Sequence, residues 1–417
     1  MRLEEAKKEE FLLLDFILLA NLVMIFPIFL ANRYKINGIL IDLFMIPVFL
    51  YLYKRYSFKI NLTGFFLIGV MIIFSLIGML TSHLEGSSIL GTVKMLSWMI
   101  YFILGCSIAN YYIKIRSDFK KIKVDYFIYA LLGLNVFLIL MYFTSPFLLF
   151  TPSRMEGFFG DPNLFAITEW SFFMLVLLYS NKSLVKLLTI FSIMIVYILS
   201  GSRGITIVVL IAPLFFLKTI LTQIKVHMNV KNMLLFIFVA VFVFIFLFRV
   251  NFQIFGLERI GAVFNFILSK KFKLSIAELD YFLNGRLQIL QASLKCFTTY
   301  PFGIGKDNIT IWNSIYMGRA MVVHNTYLEI LTSSGLMGLM SFFFLLIYGF
   351  ARSFKKRWKT WAMWVIIFIL VASFFYSLDN FRLFWFALGF LCFNAPQTKS
   401  RVVNAVDARE ANSIAVQ

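Results

Sequence analysis

The sequence predicts an all-α integral membrane protein of about 12 transmembrane helices, with one large, partly helical outer loop late in the chain. Three observations carry that prediction. Of 417 residues, 61% are hydrophobic and only 14% charged, more apolar surface than a soluble chain of this length has any use for. The apolar residues fall in runs of about 20, the length that crosses a hydrocarbon core. Those runs do not alternate apolar with polar residues, which excludes a closed β-barrel. The 52 phenylalanines suit lipid-facing helices, whose backbone polar groups are satisfied within the segment.

Twelve such runs lie near 11–32, 36–53, 60–82, 89–113, 125–150, 164–180, 185–200, 205–222, 233–250, 326–350, 361–378 and 383–395. Lysine and arginine orient them. Arg2, Lys7 and Lys8 precede the first span, and Lys54, Arg55 and Lys59 follow the second. Lys114, Arg116, Lys120, Lys121 and Lys123 fill the fourth loop, Lys182 and Lys186 flank the sixth, and Lys225 and Lys231 mark the eighth. The tenth loop holds Arg352, Lys355, Lys356, Arg357 and Lys359, and the tail Lys399, Arg401 and Arg409. Every second loop is basic, so the positive-inside rule places both termini in the cytoplasm. Four regions follow: residues 1–250 with the first nine spans, an outer loop at 251–325, the last three spans at 326–395, and a cytoplasmic tail at 396–417.

The net charge of +19 does not imply nucleic acid, because the basic residues are spread between spans as topology signals rather than gathered in one domain. Cys106 and Cys392 sit in apolar runs, and with Cys296 they suggest neither a disulfide framework nor a zinc site. No small-residue cleavage site follows the first apolar run, which reads as a retained helix.

The outer loop is long enough to be exempt from the charge rule, and it carries eight basic residues against four acids. Long loops in compact chains are usually functional. Within it, LNGRLQILQASLKCF (283–297) has helical apolar spacing and YPFGIG (300–305) reads as a turn.

The outer face also gathers the polar residues that can carry chemistry. TPSRMEGFFGDPN supplies Arg154, Glu156, Asp161 and Asn163; SGSRG supplies Arg203; the long loop supplies Arg286 and ends at His324-Asn325; the eleventh loop holds Asp379, Asn380 and Arg382. Each has a plain structural reading. Asn163 and Asn325 suit helix caps, Arg203 an interfacial anchor, and Arg286 a solvated helix face. Gly335 and Gly338 suit close approach of two helices. Taken together, several forked, permanently ionised guanidinium groups suit a phosphate or pyrophosphate. A neutral histidine can accept a hydroxyl proton near pH 7. Asp161 and Asp379 are isolated in sequence, so no magnesium-type carboxylate cluster is expected, and neither a metal nor a cofactor is predicted.

These residues resemble a known family. His324-Asn325, nine residues, Gly335, two residues and Gly338 are similar to the signature of the bacterial O-antigen ligase and O-antigen polymerase superfamily. Three further pieces agree in order: Arg154 to Asn163, the SRG at 202–204, and the GR at 285–286 followed by YPFGIG. The resemblance implies a GT-C-like membrane glycosyltransferase of the bacterial inner membrane with its site facing the periplasm. It further implies an undecaprenyl-pyrophosphate-linked glycan donor, metal independence and inversion at the anomeric carbon. Carried onto this chain, Arg203 and Arg286 bind the pyrophosphate and His324 activates the acceptor. Arg154, Asn163, Asn325 and Glu329 are the expected substrate contacts. The Phe-, Ile- and Lys-rich composition and the Arg154–Asn163 segment incline the reading to a polymerase, whose acceptor is another lipid-linked repeat unit and for which a chain-length regulator is an expected partner. The alternative is a ligase, whose acceptor is lipid A-core.

A flippase or transporter is the reading from another class, and it would place charges in series along a central pathway. Asp15, Asp42, Lys94, Glu169 and Glu329 form no such series; the last three lie toward outer ends of spans, where they can line a sugar pocket.

Overall fold

A computed structural model describes residues 60–114, 124–144, 150–151, 154–155, 161–179, 183–200, 285–353 and 360–393. The first, second, eighth and ninth predicted spans, the loop up to residue 284, Arg203 and the tail lie outside the described residues.

The described chain is helical apart from a short hairpin. Its helices are α1 (Leu62–Ser82), α2 (Leu90–Lys94), α3 (Leu96–Lys114), α4 (Val124–Thr144), α5 (Pro162–Tyr179), α6 (Ser183–Ser200), α7 (Arg286–Thr299), α8 (Ile309–Met317), α9 (Thr326–Ser353), α10 (Thr360–Ala372) and α11 (Arg382–Cys392). Between α4 and α5, strands β1 (Phe150–Thr151) and β2 (Arg154–Met155) pair antiparallel. Three stretches are long and apolar enough to cross a membrane: Leu62–Ser82, Leu90–Ser107 and Thr326–Ser353.

Several boundaries differ from the hydropathy runs. The run at 89–113 turns at Met95 into α2 and α3. In the run at 125–150 the helix is described as far as Thr144, and Phe150 already belongs to the hairpin. The run at 361–378 leaves the helix after Ala372, where the chain passes into turns and its carbonyls accept from the start of α9. Ser373 O accepts from Thr326 N (2.9 Å), Tyr376 O accepts from Thr326 Oγ1 (2.9 Å), and Leu378 N donates to Thr326 Oγ1 (2.8 Å). Non-helical backbone among spans is tolerated where protein buries and pairs it.

Tertiary packing agrees with the sidedness read from charge. Asn61 caps α1 by accepting from Gly64 N (2.9 Å), and its Nδ2 donates to Tyr348 Oη (3.0 Å) and Cys392 O (2.8 Å). All three residues belong to span ends assigned to the same face. Along α3 and α11 the backbones nearly touch: a methyl group at Gly105 would overlap the Phe386 carbonyl, and one at Gly389 the Phe102 carbonyl. Trp98 and Trp385 stack in the same interface, with ring centroids 4.5 Å apart. Such small-residue contacts supply the close packing that holds helices together in lipid.

Helix α9 is kinked. Gly335 has φ 65° and ψ −167°, a conformation only glycine adopts easily. Beside the break, the Thr332 and Ser333 carbonyls accept from Ile304 N (2.8 Å) and Gly305 N (3.0 Å). The predicted YPFGIG turn therefore docks into a broken helix and satisfies it. Gly335 thus faces the backbone of Pro301 and Phe302, not a second helix. Gly338 meets only Ser334 and the Ile330 carbonyl of its own helix, so the expected helix–helix role of this pair is not what the packing shows.

Candidate functional site

The site forms where α5, α7 and α9 begin. Asn325 caps α9: its Oδ1 accepts from Leu328 N (3.0 Å) and its Nδ2 donates to Phe374 O (3.2 Å). His324, just before the cap, is held in the left-handed region at φ 52°, which is costly for a residue with a side chain. Strain of this kind persists where surrounding contacts impose it, and here the cap and the 373–378 segment do so. Arg286 is the first residue of α7, after Gly285 at φ 77°, which has no side chain with which to cap the helix. The Arg286 guanidinium carbon stands 5.8 Å from the centre of the Tyr376 ring. At α5 the cap is Asp161, not Asn163: Asp161 Oδ1 accepts from Asn163 N (2.6 Å) and Leu164 N (3.2 Å).

These starts converge electrostatically on His324. Burial pulls the imidazole below its ordinary value of 6.5, the Arg286 charge pushes the same way, and Asp161 and Glu329 oppose. The net direction is down, so His324 is neutral at pH 7 and able to accept a proton.

Of the other expected contacts, Arg154 lies in β2 opposite Thr151, and its side chain is outside the described residues, as is the whole of Arg203. Asn163 is half-buried in the first turn of α5. Glu329 is buried, and both of its carboxylate oxygens are engaged: Oε1 pairs with Lys306 Nζ, and Oε2 accepts from Ser377 Oγ (2.9 Å).

That pair belongs to an ion network the sequence did not reveal. Lys306 is 1% exposed, and its Nζ lies 2.6 Å from Asp379 Oδ2 and 3.4 Å from Asp307 Oδ1. Asp307 in turn accepts from Lys94 Nζ (2.7 Å). Asp379, fully buried, also lends its backbone carbonyl to Trp385 Nε1 (2.5 Å). Burial alone would lower the Lys306 ammonium, but the Asp379, Glu329 and Asp307 carboxylates outweigh it and hold it above the ordinary lysine range. Burial lifts Asp379 to about 6, Lys306 works against that rise, and Glu329 adds to it. The local signal was weak: a lysine directly after a glycine turn, and lone acids in apolar surroundings. Only the fold joins them. Among the described residues no group of histidine, cysteine and carboxylates has the arrangement of a metal site.

Deeper in the membrane, Glu169 of α5 accepts from Asn135 Nδ2 of α4 (3.1 Å), which also approaches Ser192 Oγ of α6 (3.4 Å). Expected near an outer rim, Glu169 instead sits about two turns inside α5 and is 2% exposed.

With this geometry in view, the comparison with known families is decisive for part of the chain. Residues 187–343 match the family model described as O-antigen ligase. This segment supports the resemblance to the O-antigen ligase and polymerase superfamily. The match takes in Arg286, Lys306, His324, Asn325 and Glu329. No curated protein matches the chain. The match and the apolar helices point to a membrane protein, and the matched family suggests a glycosyltransferase-like ligase or polymerase activity.

Proposed function

We propose that the chain transfers a glycan from an undecaprenyl-pyrophosphate donor to a sugar hydroxyl at the periplasmic face of the inner membrane. The observation that carries this reading is the charge of Arg286, at the start of α7, acting on a half-buried histidine kept neutral by its surroundings. A helix start and a guanidinium both attract a diphosphate. In the step itself, the acceptor oxygen bonds to the anomeric carbon as its proton passes to His324. The bond from that carbon to the pyrophosphate oxygen breaks, and the diphosphate leaves with the bonding electrons. Arg286, with Arg203, stabilises the charge that develops there. Asn325, Asn163 and Arg154 are the proposed sugar and acceptor contacts. Glu329, already paired, acts through its charge on His324.

The polymerase reading rests on the Arg154–Asn163 segment, and the ligase is the alternative. Reconstitution with lipid-linked repeat units separates them: a ladder of longer lipid-linked glycans marks a polymerase, and product only when lipid A-core is added marks a ligase. His324→Ala is expected to lower the rate by roughly 10²–10⁴-fold, the range for a general base, while inserting normally. Near-normal transfer by that variant would falsify the role. Arg286→Lys keeps the charge but loses the fork, so transfer should fall without vanishing; equal rates would remove the bidentate contact. Because the imidazole titrates below 6.5, the acid limb of the rate profile should lie below that pH, with activity lost as His324 gains its proton.

A further inference from the structure

Lys306 lies in the turn that docks into the break of α9, so the fold delivers it to the base of the site. Its backbone N donates to Ser75 Oγ of α1 (3.0 Å), which pairs with Thr92 Oγ1 of α2 (3.0 Å). Asn308, two residues on, accepts from Ser88 N (2.9 Å) and donates to Ile304 O (2.8 Å). A side chain at Gly91 would collide with the Lys306 carbonyl. The ammonium is therefore fixed from several sides before its ion pairs are considered. Around it stand Glu329 from α9, Asp379 from the segment before α11, and its own neighbour Asp307, which Lys94 of α2 holds from the far side.

Glu329 is the link to the chemistry. It sits in the first turn of the helix that His324 precedes, and its charge acts on His324 directly. Left unengaged, that carboxylate would favour the imidazolium form, and a protonated imidazole cannot take the acceptor's proton. We infer that Lys306 is a positioning residue of the site: by binding Glu329 and Asp379 below α9, it keeps the Glu329 carboxylate from pairing with His324. This rests on the reading of His324 as the base. The other charges facing the imidazole are Arg286 from α7 and Asp161 from the start of α5. Neither contacts Lys306 in the network, so the lysine acts on His324 through Glu329.

The test reads the imidazole without any substrate. The chain has three histidines, His83, His227 and His324. Replacing the first two with glutamine leaves one to follow by NMR titration of the full chain in detergent micelles. In Lys306→Met, Glu329 is released and the His324 midpoint should rise by about one pH unit, the size of a close charge effect. Lys306→Arg restores the cation and should restore the midpoint. Glu329→Gln removes the anion while Lys306 keeps Asp379, so the midpoint should fall; this variant decides the matter if Lys306→Met does not accumulate. A lysine needed only for folding would lower yield and leave the titration where it was. An unmoved midpoint in Lys306→Met, or in Glu329→Gln when that variant decides, overturns the inference. Transfer assays stand apart from this: an active His324→Ala removes the base reading even where the titration shifts, and an unmoved titration with an inactive His324→Ala removes only the role of Lys306.

Discussion

Among the described residues two glutamates are buried, and they are held in opposite ways. Glu329 at the outer end of α9 faces a lysine that also binds two aspartates. Glu169, midway along α5, faces the amide of Asn135, and among the described residues no cation pairs with it. The first arrangement holds charge where the site needs a defined field. The second is a neutral-donor hydrogen bond that ties α4 to α5 and, through Ser192, to α6, as polar residues do between helices in lipid. An intramembrane carboxyl is by default a functional hypothesis. On the proposed reading, the surroundings give one of the two to the site and the other to helix assembly.

Substitutions can break or sharpen this contrast. The largest effect is expected for Lys306→Met, which leaves buried carboxylates uncompensated and should cost about 3–5 kcal/mol, read as unfolding in detergent. Gly335→Ala comes next, because a methyl group there meets the Phe302 backbone at 2.7 Å and the positive φ is strained. Its loss of roughly 1–3 kcal/mol should come with a shifted His324 titration, since the turn that delivers Lys306 moves. Asn135→Leu leaves Glu169 without its donor and should cost on the order of 1–3 kcal/mol, with the His324 titration unchanged. Smallest is Glu169→Gln, which keeps a hydrogen-bonding side chain and should stay within about 1 kcal/mol of wild type at unchanged transfer rate. A large rate loss in Glu169→Gln would place both glutamates in the chemistry and end the contrast.

What the sequence made legible was local or periodic. His324-Asn325 declared a helix start because a cap and the apolar run after it are neighbours in the chain, and the structure puts Asn325 in that role. The helical spacing of LNGRLQILQASLKCF and the YPFGIG turn were readable for the same reason. The cap of α5 was misplaced by two residues, since both Asp161 and Asn163 suit a cap and only backbone geometry chooses Asp161. The last turns of the run at 361–378 misled because Phe374, Phe375 and Tyr376 are as apolar as a span, while the bonds that divert their backbone come from Thr326 and Asn325. The Lys306 network was illegible because α9, the turn before α8 and the segment before α11 each contribute one group, and no pattern within any one of them announces the others.

The paired glycines of α3 and α11 have a consequence for traffic through the bilayer. With Gly105 against Phe386 and Gly389 against Phe102, no side chain stands between the two backbones. A hydrocarbon chain needs a gap several ångströms wide to slip between helices, and at this seam there is none. A substrate dissolved in the membrane therefore cannot pass between α3 and α11 at this seam and must use another flank.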